Sequence, residues 1–293
     1  MVYGRGRPHR VPGRVINVAV SALEIGLERR SWIEELPVSV QESAVLGVVQ
    51  AMHADLDFPF TLDTFAEMAN YSPFHFARMF RDVTGIPPGE FLSALRFQRA
   101  KELVLTTDLS ITDICFEVGF SSLGTFSSRF KQLVGTNPAQ LRCLPHLIDA
   151  LPRDHADIHL HPAGPGGSVS GLVRGREPVA GMVYIGLYPT AIAQNVPVRG
   201  VRINGAGAFH LPAVPKGTYR LMAAVIPSDA GPVAQLLPDR SIQVAADPEP
   251  LAIRTGHEQI ERTLSLRQLR AVEPPILTAL PALAINRATQ AWR

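Results

Sequence analysis

Between residues 60 and 145, apolar residues recur every three or four places, the period of an amphipathic helix. From residue 166 onward they alternate instead, as in "MVYIGLYP" and "GTYRLMAAVIP", and Gly and Pro turns separate the runs. Residues 38–145 are therefore expected to be helical and 166–270 to be strands. In the second strand run Tyr219, Leu221, Ala223 and Val225 share one face. Three stretches lack either period. Residues 1–36, a basic start followed by "VINVAVSALEIGL", are expected to be poorly ordered. Residues 146–165, rich in Pro, His and Asp, read as a linker, and 271–293 is an apolar, Pro-broken tail with no assignment.

Within the helical stretch one pattern is written twice. "ANYSPFHFARMFRDVTGIPPGEFL" starts at Ala69 and "GFSSLGTFSSRFKQLVGTNPAQLR" at Gly119, fifty positions later. In the first copy Thr61 is placed to cap a helix that buries Leu62, Phe65, Ala66 and Ala69. Asn70 and Tyr71 make a tight turn. Ser72 and Pro73 then start a second helix, because Pro at the first helical position lacks only an N–H that has no partner anyway. Phe76, Phe80 and Val83 face inward and Gly85 ends it. The second copy follows suit. Ser110 and Asp113 have capping-box spacing. Ile111, Ile114, Cys115 and Val118 turn inward, Gly119 makes the turn, and a helix over 122–134 buries Phe126, Phe130 and Leu133.

The outward stripes are Phe74, Ala77, Arg78 and Arg81 in the first copy and Gly124, Ser127, Ser128 and Lys131 in the second, at matching positions. Helix, tight turn, helix is the unit whose second helix enters a DNA major groove. A stripe of Arg, Lys and Ser suits that task, since Arg can read guanine bidentately and Ser can contact bases or phosphates. A plain bundle with solvated faces explains one such copy. It does not explain two of equal length joined by the long helix "PGEFLSALRFQRAKELVL".

Residues 58–144 closely resemble the AraC/XylS family of transcription regulators. "LRFQRAKELVL" is similar to that family's connecting helix and "SITDICFEVGFSSLGTFSSRFKQLVGTNPAQLR" to its signature segment. The resemblance implies seven helices, with two recognition helices in successive major grooves. It places base-edge and nearby backbone contacts on Phe74, Ala77 and Arg78, and on Leu123, Gly124, Ser127 and Ser128. Ala77 and Ser128 stand where family members often carry a long polar residue, which shifts the second unit toward positioning rather than specificity. Arg129 is expected to meet phosphate or an acid. Arg96, Arg99 and Lys101 either pair with acids such as Glu67 and Asp113 or meet phosphate.

Charge modifies this picture only locally. The formal net charge is +2, and 58–145 carries eight basic and eight acidic residues, so a DNA footprint must come from where the basic residues point. Residues 1–14 hold Arg5, Arg7, Arg10 and Arg14 with no acid, a candidate minor-groove arm. No apolar run approaches the roughly 18 residues that span a bilayer, and no signal-type core follows the basic start, so a cytoplasmic protein without a membrane partner is expected. Cys115 and Cys143 make no disulfide or metal pattern and read as small core residues. G-x-S-x-G, H-E-x-x-H and P-loop motifs are absent, so no enzyme and no cofactor is expected. His155, His159 and His161, with Asp154 and Asp157, offer the alternative of a metal-responsive regulator, although no single local structure uses all three histidines well.

In the strand region Gly171, Val173, Pro178, Val179, Gly181 and Val183, and then Gly207, Phe209, Leu211, Val214, Pro215, Gly217 and Tyr219, resemble the carboxypeptidase regulatory-like, transthyretin-like β-sandwich. That likeness implies about seven antiparallel strands and a non-catalytic interaction, dimerisation or ligand-sensing module. The sequence thus reads as a multidomain α and β protein, an all-α double helix-turn-helix domain followed by an all-β sandwich. Its expected partner is double-stranded DNA; RNA polymerase, a small-molecule effector and a second copy of the chain are further candidates.

Overall fold

The computed structural model describes residues 39–149, 158–159, 165–176, 178–238 and 240–281. Helix α1 (Val40–Ala54) buries Val45, Val48, Val49 and Met52. Helices α2 (Leu62–Ala69) and α3 (Pro73–Thr84) follow, then the long α4 (Pro88–Thr106), α5 (Ile111–Glu117), α6 (Leu123–Val134) and α7 (Pro138–Asp149). These are the seven helices expected.

Local chemistry sets their ends. Thr61 accepts the Thr64 N–H at 3.2 Å, Ser122 accepts the Thr125 N–H at 3.4 Å, and Asn137 Oδ1 accepts the Gln140 N–H at 2.8 Å. Ser110 Oγ accepts the Asp113 N–H at 3.1 Å and donates to Asp113 Oδ2 at 2.7 Å, so the carboxylate closes on the cap hydroxyl. The turn between α2 and α3 needs a left-handed residue, and Asn70 supplies it at φ 57°. Gly119 does the same between α5 and α6 at φ 81°.

Phenylalanines tie both units to α4. Phe60, Phe65, Phe76 and Phe80 form a chain of rings that ends edge-on against Phe91, with Phe80 and Phe91 centroids 5.6 Å apart. Phe120, Phe126 and Phe130 gather round Phe97, with Phe97 and Phe126 stacked at 5.8 Å. One helix therefore anchors the cores of both repeats. Four inward assignments are corrected. Leu62 is exposed because it opens the first turn of α2, and Val83, Ile111 and Leu133 are only half-buried at the edge of the core, where Thr84 and Val134 are buried instead. Cys115 is buried, but Cys143 is exposed on α7 and is no core residue.

The β region is richer than expected. Its strands are β1 (Ile158–His159), β2 (Gly167–Arg174), β3 (Gly181–Tyr188), β4 (Arg199–Asn204), β5 (Ala208–Val214), β6 (Gly217–Pro227), β7 (Gln243–Ala246), β8 (Leu251–Ile253), β9 (Gln259–Ser265) and β10 (Arg267–Gln268). The larger sheet runs β1-β4-β3-β6-β7-β10 with β8 beside β6, and the smaller runs β5-β2-β9. Pairing is antiparallel throughout except between β2 and β9, which are parallel. A Cβ on Gly171 would fall 1.7 Å from the Arg262 carbonyl, so this close pairing requires glycine there. Val183, Ile185, Leu187, Tyr219, Leu221, Ala223 and Val225 fill the space between the sheets. The stripe read on β6 is thus correct, and Phe209 and Tyr219 do reach the same core. The opposite face of β6 is covered too. Ala224 and Ile226 pack with Tyr184, Val244 and Leu280.

A short helix, α8 (Pro232–Leu236), lies between β6 and β7. Its Leu236 belongs to the helical core, as do Ile192, Val272, Leu277 and Ala279. The described residues, 39 to 281, accordingly fall in one compact unit. Residues 38–145 therefore do not complete their own core: the loop after β3, α8 and the segment after β10 do so. The stretch read as linker also changes character at both ends, because α7 runs to Asp149 and β1 pairs with β4. Residues 1–38 and the candidate minor-groove arm lie outside the described residues. Among the described residues no helix is long and apolar enough to cross a membrane.

Candidate nucleic-acid interface

Helices α3 and α6 present the two outward stripes. Phe74, on the first turn of α3, is 82% exposed, an unusual state for a phenylalanine outside a binding face. Arg78 and Arg81, one and two turns further on, are exposed, while Ala77 is half-buried beside them. Arg78 Nε lies 4.0 Å from Asp82 Oδ2 with both side chains open to water, a leash too weak to hold the guanidinium back from a ligand. On α6, Leu123, Gly124, Ser128 and Lys131 are exposed and Ser127 is half-buried. A Cβ on Gly124 would meet nothing within 4 Å, so the first turn of α6 offers bare backbone to whatever approaches. All nine sequence-derived residues thus fall on the outward faces of the two helices, and none is part of either aromatic core.

Two more exposed residues belong to the same faces. His75 stacks on Tyr71 with centroids 5.0 Å apart, and Thr125 holds the equivalent position of α6. Each follows directly on the residue that opens its outward stripe. The signal for both was their place near a helix N-terminus, where a recognition helix meets base edges first.

Arginines outside the stripes hold the frame. Arg96 on α4 donates from Nε to the Leu56 carbonyl at 2.7 Å and from Nη2 to the Phe58 carbonyl at 3.1 Å, fixing the loop that leads into α2. Arg142 on α7 donates to the Val104 carbonyl at 3.2 Å and the Leu109 carbonyl at 2.6 Å, fixing the loop that leads into α5. Of these four carbonyls only that of Val104 belongs to a helix end, and the other three lie in the loops, so each guanidinium ties a loop to its own helix. The suggested pairing of α4 residues with Glu67 or Asp113 is corrected. Arg96 takes carbonyls and Arg99 pairs with Glu102 at 2.7 Å. Lys101 is fully buried and donates to the Ile276 carbonyl at 3.1 Å. Burial lowers its pKa to about 7.

The β region grips the same frame near the ends of α3 and α6. The Asn195 N–H donates to the Leu133 carbonyl, and the Ala279 N–H donates to the Val134 carbonyl at 3.2 Å. A Cβ on Gly85, where α3 ends, would lie 3.4 Å from Ala191 Cβ. His159 lies in β1, and the other candidate metal ligands, His155, His161, Asp154 and Asp157, lie outside the described residues. No group of three or more His, Cys, Asp or Glu able to hold a metal ion occurs among the described residues.

Two helix-turn-helix units fixed to one connecting helix define a double helix-turn-helix protein. Comparison with known proteins agrees. A family described as a helix-turn-helix domain matches residues 65–143. The HTH-type transcriptional activator AarP of Providencia stuartii is 30% identical over 102 residues, which cover 35% of this chain and 76% of that protein. The probable transcription factor PqrA of Proteus vulgaris is 38% identical over 81 residues, 28% of this chain and 66% of that one. Among solved structures, an AraC-type transcriptional regulator from Chromobacterium violaceum aligns over 35% of this chain and 91% of its own, at 28% identity and a TM-score of 0.34. The chain belongs to the AraC/XylS family of helix-turn-helix transcription regulators. None of these relatives is named as an enzyme, and each match covers only about a third of this chain.

Proposed function

We propose that the protein is a sequence-specific DNA-binding transcription regulator that reads two successive major grooves with α3 and α6. The observation that carries this reading is the repeated outward stripe, in one register on two helices, each backed by phenylalanines that converge on α4. Phe74 and Ala77 suit the methyl group of thymine, and Arg78 suits the O6 and N7 of guanine. Arg81 and Lys131 lie further along their helices and suit phosphates, which fix register but carry no sequence. Leu123, Gly124, Ser127 and Ser128 make α6 a close-fitting surface of small contacts, so base selectivity rests more on α3. DNA-binding and transcriptional roles are what the relatives' names describe, and the shared residues extend them to this chain. The β region is proposed as a transthyretin-like module for ligand sensing, dimerisation or contact with the transcription machinery.

Selection of binding sites from random DNA by the full chain tests this. The expected result is a motif with two segments about one helical turn apart, the stronger base preferences lying under α3. Absence of any enriched motif would refute it.

A further inference from the structure

A cavity of about 90 Å³ lies between the outer face of the larger sheet and the segment after β10. Tyr184, Met222, Ala224 and Val244 line it from the sheet, and Ile276 and Leu280 from the segment. An apolar cavity of about 150 Å³ takes up benzene; this space is smaller but not enclosed, so it admits at most a single ring, with part of the guest left outside, and excludes a fused one. Tyrosine rings and a methionine thioether are favourable neighbours for an aromatic guest. The ionic groups in its wall are spent on each other. Arg267 meets Glu273 through both terminal nitrogens, at 2.6 and 2.8 Å, and Glu273 also accepts the Arg270 N–H at 2.8 Å. A carboxylate ligand would have to break that pair, whereas a neutral one leaves it intact.

The same walls reach the DNA-reading frame. Ala191 and Ala193, from the loop after β3, also line the cavity. The Ala193 carbonyl accepts the Leu277 and Thr278 N–H groups at 2.9 and 3.0 Å, which locks loop to segment. Ala191 packs against the helical core beside Gly85, where α3 ends, and Asn195, two residues beyond Ala193, bonds to the last turn of α6. The Ile276 carbonyl receives Lys101 of α4. A guest that pushes on this loop and segment therefore pushes on both recognition helices and on the helix that joins them.

We propose that this cavity binds a small uncharged single-ring aromatic compound and that its occupancy changes the spacing of α3 and α6. The coupling rests on the DNA-reading function proposed above, and the binding does not. A guest shifts an equilibrium only through contacts that differ between two states, and the loop and segment are the walls that a guest touches and that also touch the helical frame.

The test uses the full chain with methyl-labelled Met and Ala, titrated with benzyl alcohol and, as the charged control, benzoate. Benzyl alcohol is expected to saturate and to shift the Met222 and Ala224 methyl signals, with benzoate at least about tenfold weaker. Ala224→Leu and Met222→Trp fill the space from two sides. Both variants are expected to abolish saturation while keeping the DNA affinity of the ligand-free parent, which also marks them as folded. At saturation the Kd for the selected DNA site is expected to change at least about threefold in the parent and in neither variant. Absence of saturable binding, equal affinity for benzoate, or an unchanged titration in both variants would overturn the site. Saturable binding with an unaltered DNA Kd would overturn the coupling. A ligand-free chain that binds no specific DNA would instead overturn the DNA-reading function, leaving the cavity to be judged by the methyl titration.

Discussion

Replacing Lys101 by methionine is expected to stabilise the protein in acid and destabilise it in base. The amine is fully buried on α4 and reaches the Ile276 carbonyl at 3.1 Å. Desolvation lowers its pKa from 10.5 to about 7. Between those two values the unfolded chain holds a proton that the folded chain has released, so stability rises with pH across this window. Below pH 7 both states are charged and the folded state bears the whole penalty, about 5 kcal/mol; near pH 10 about 1 kcal/mol of it remains. Methionine keeps the aliphatic stem and removes the charge. It also leaves the Ile276 carbonyl without its donor, at a cost of about 1–3 kcal/mol. The net expectation is a variant more stable than the parent by about 2–4 kcal/mol at pH 6, equal to it near pH 9 and weaker by about 1 kcal/mol at pH 10. Urea unfolding followed by circular dichroism at pH 6, 8 and 10 measures this. Titrations of other groups cancel in the difference between parent and variant. A difference that stays constant with pH, or a variant that is weaker at pH 6, would refute the buried, neutral amine.

Further expectations concern DNA and the division of the chain. Arg78→Ala is expected to cost about 1–3 kcal/mol on the selected site and to relax one base position, as read by repeated site selection. Lys131→Ala is expected to weaken binding to all sequences alike and to lower the salt slope by about one unit, as measured by titration at several salt concentrations. Five base pairs inserted between the two segments of the site turn them to opposite faces of the duplex, so gel-shift affinity should collapse toward the non-specific level; unchanged affinity would refute reading by two helices on one frame. A chain ended at Leu151 is expected to stay helical and bind the site, yet to unfold at lower urea. It bares the surfaces under Ile192, Leu236, Val272 and Leu277, each worth roughly 1.5–3 kcal/mol when fully buried. Equal urea midpoints would mean that those contacts contribute nothing.

The repeat was legible because its information is local. A cap, a left-handed turn and a stripe of period 3.6 are written within about twenty residues, and Ser110, Asn70, Phe76 and Phe126 carried it without reference to anything distant. What covers a face is not written in that face. Periodicity marked Phe80 and Phe130 as inward, but only the fold shows that Ile192 and Ala279, far along the chain, close the same core. Lys101 is the sharpest case. Lysine mid-helix beside Glu102 and Arg99 reads as a surface partner for an acid or a phosphate, and the segment that buries it is a Pro-broken run with no period of its own. The strands repeat the lesson. Alternation on β6 identified one buried face, while Ala224 and Ile226 on the other are buried by residues the alternation could not name. The missed contacts that join the β region or the segment after β10 to the helical bundle gather near the ends of α3 and α6 and along α4. DNA reading is therefore the local property of this chain. Any control over it has to pass through contacts that only the folded chain creates, and the loop after β3 and the segment after β10 are where the structure concentrates them.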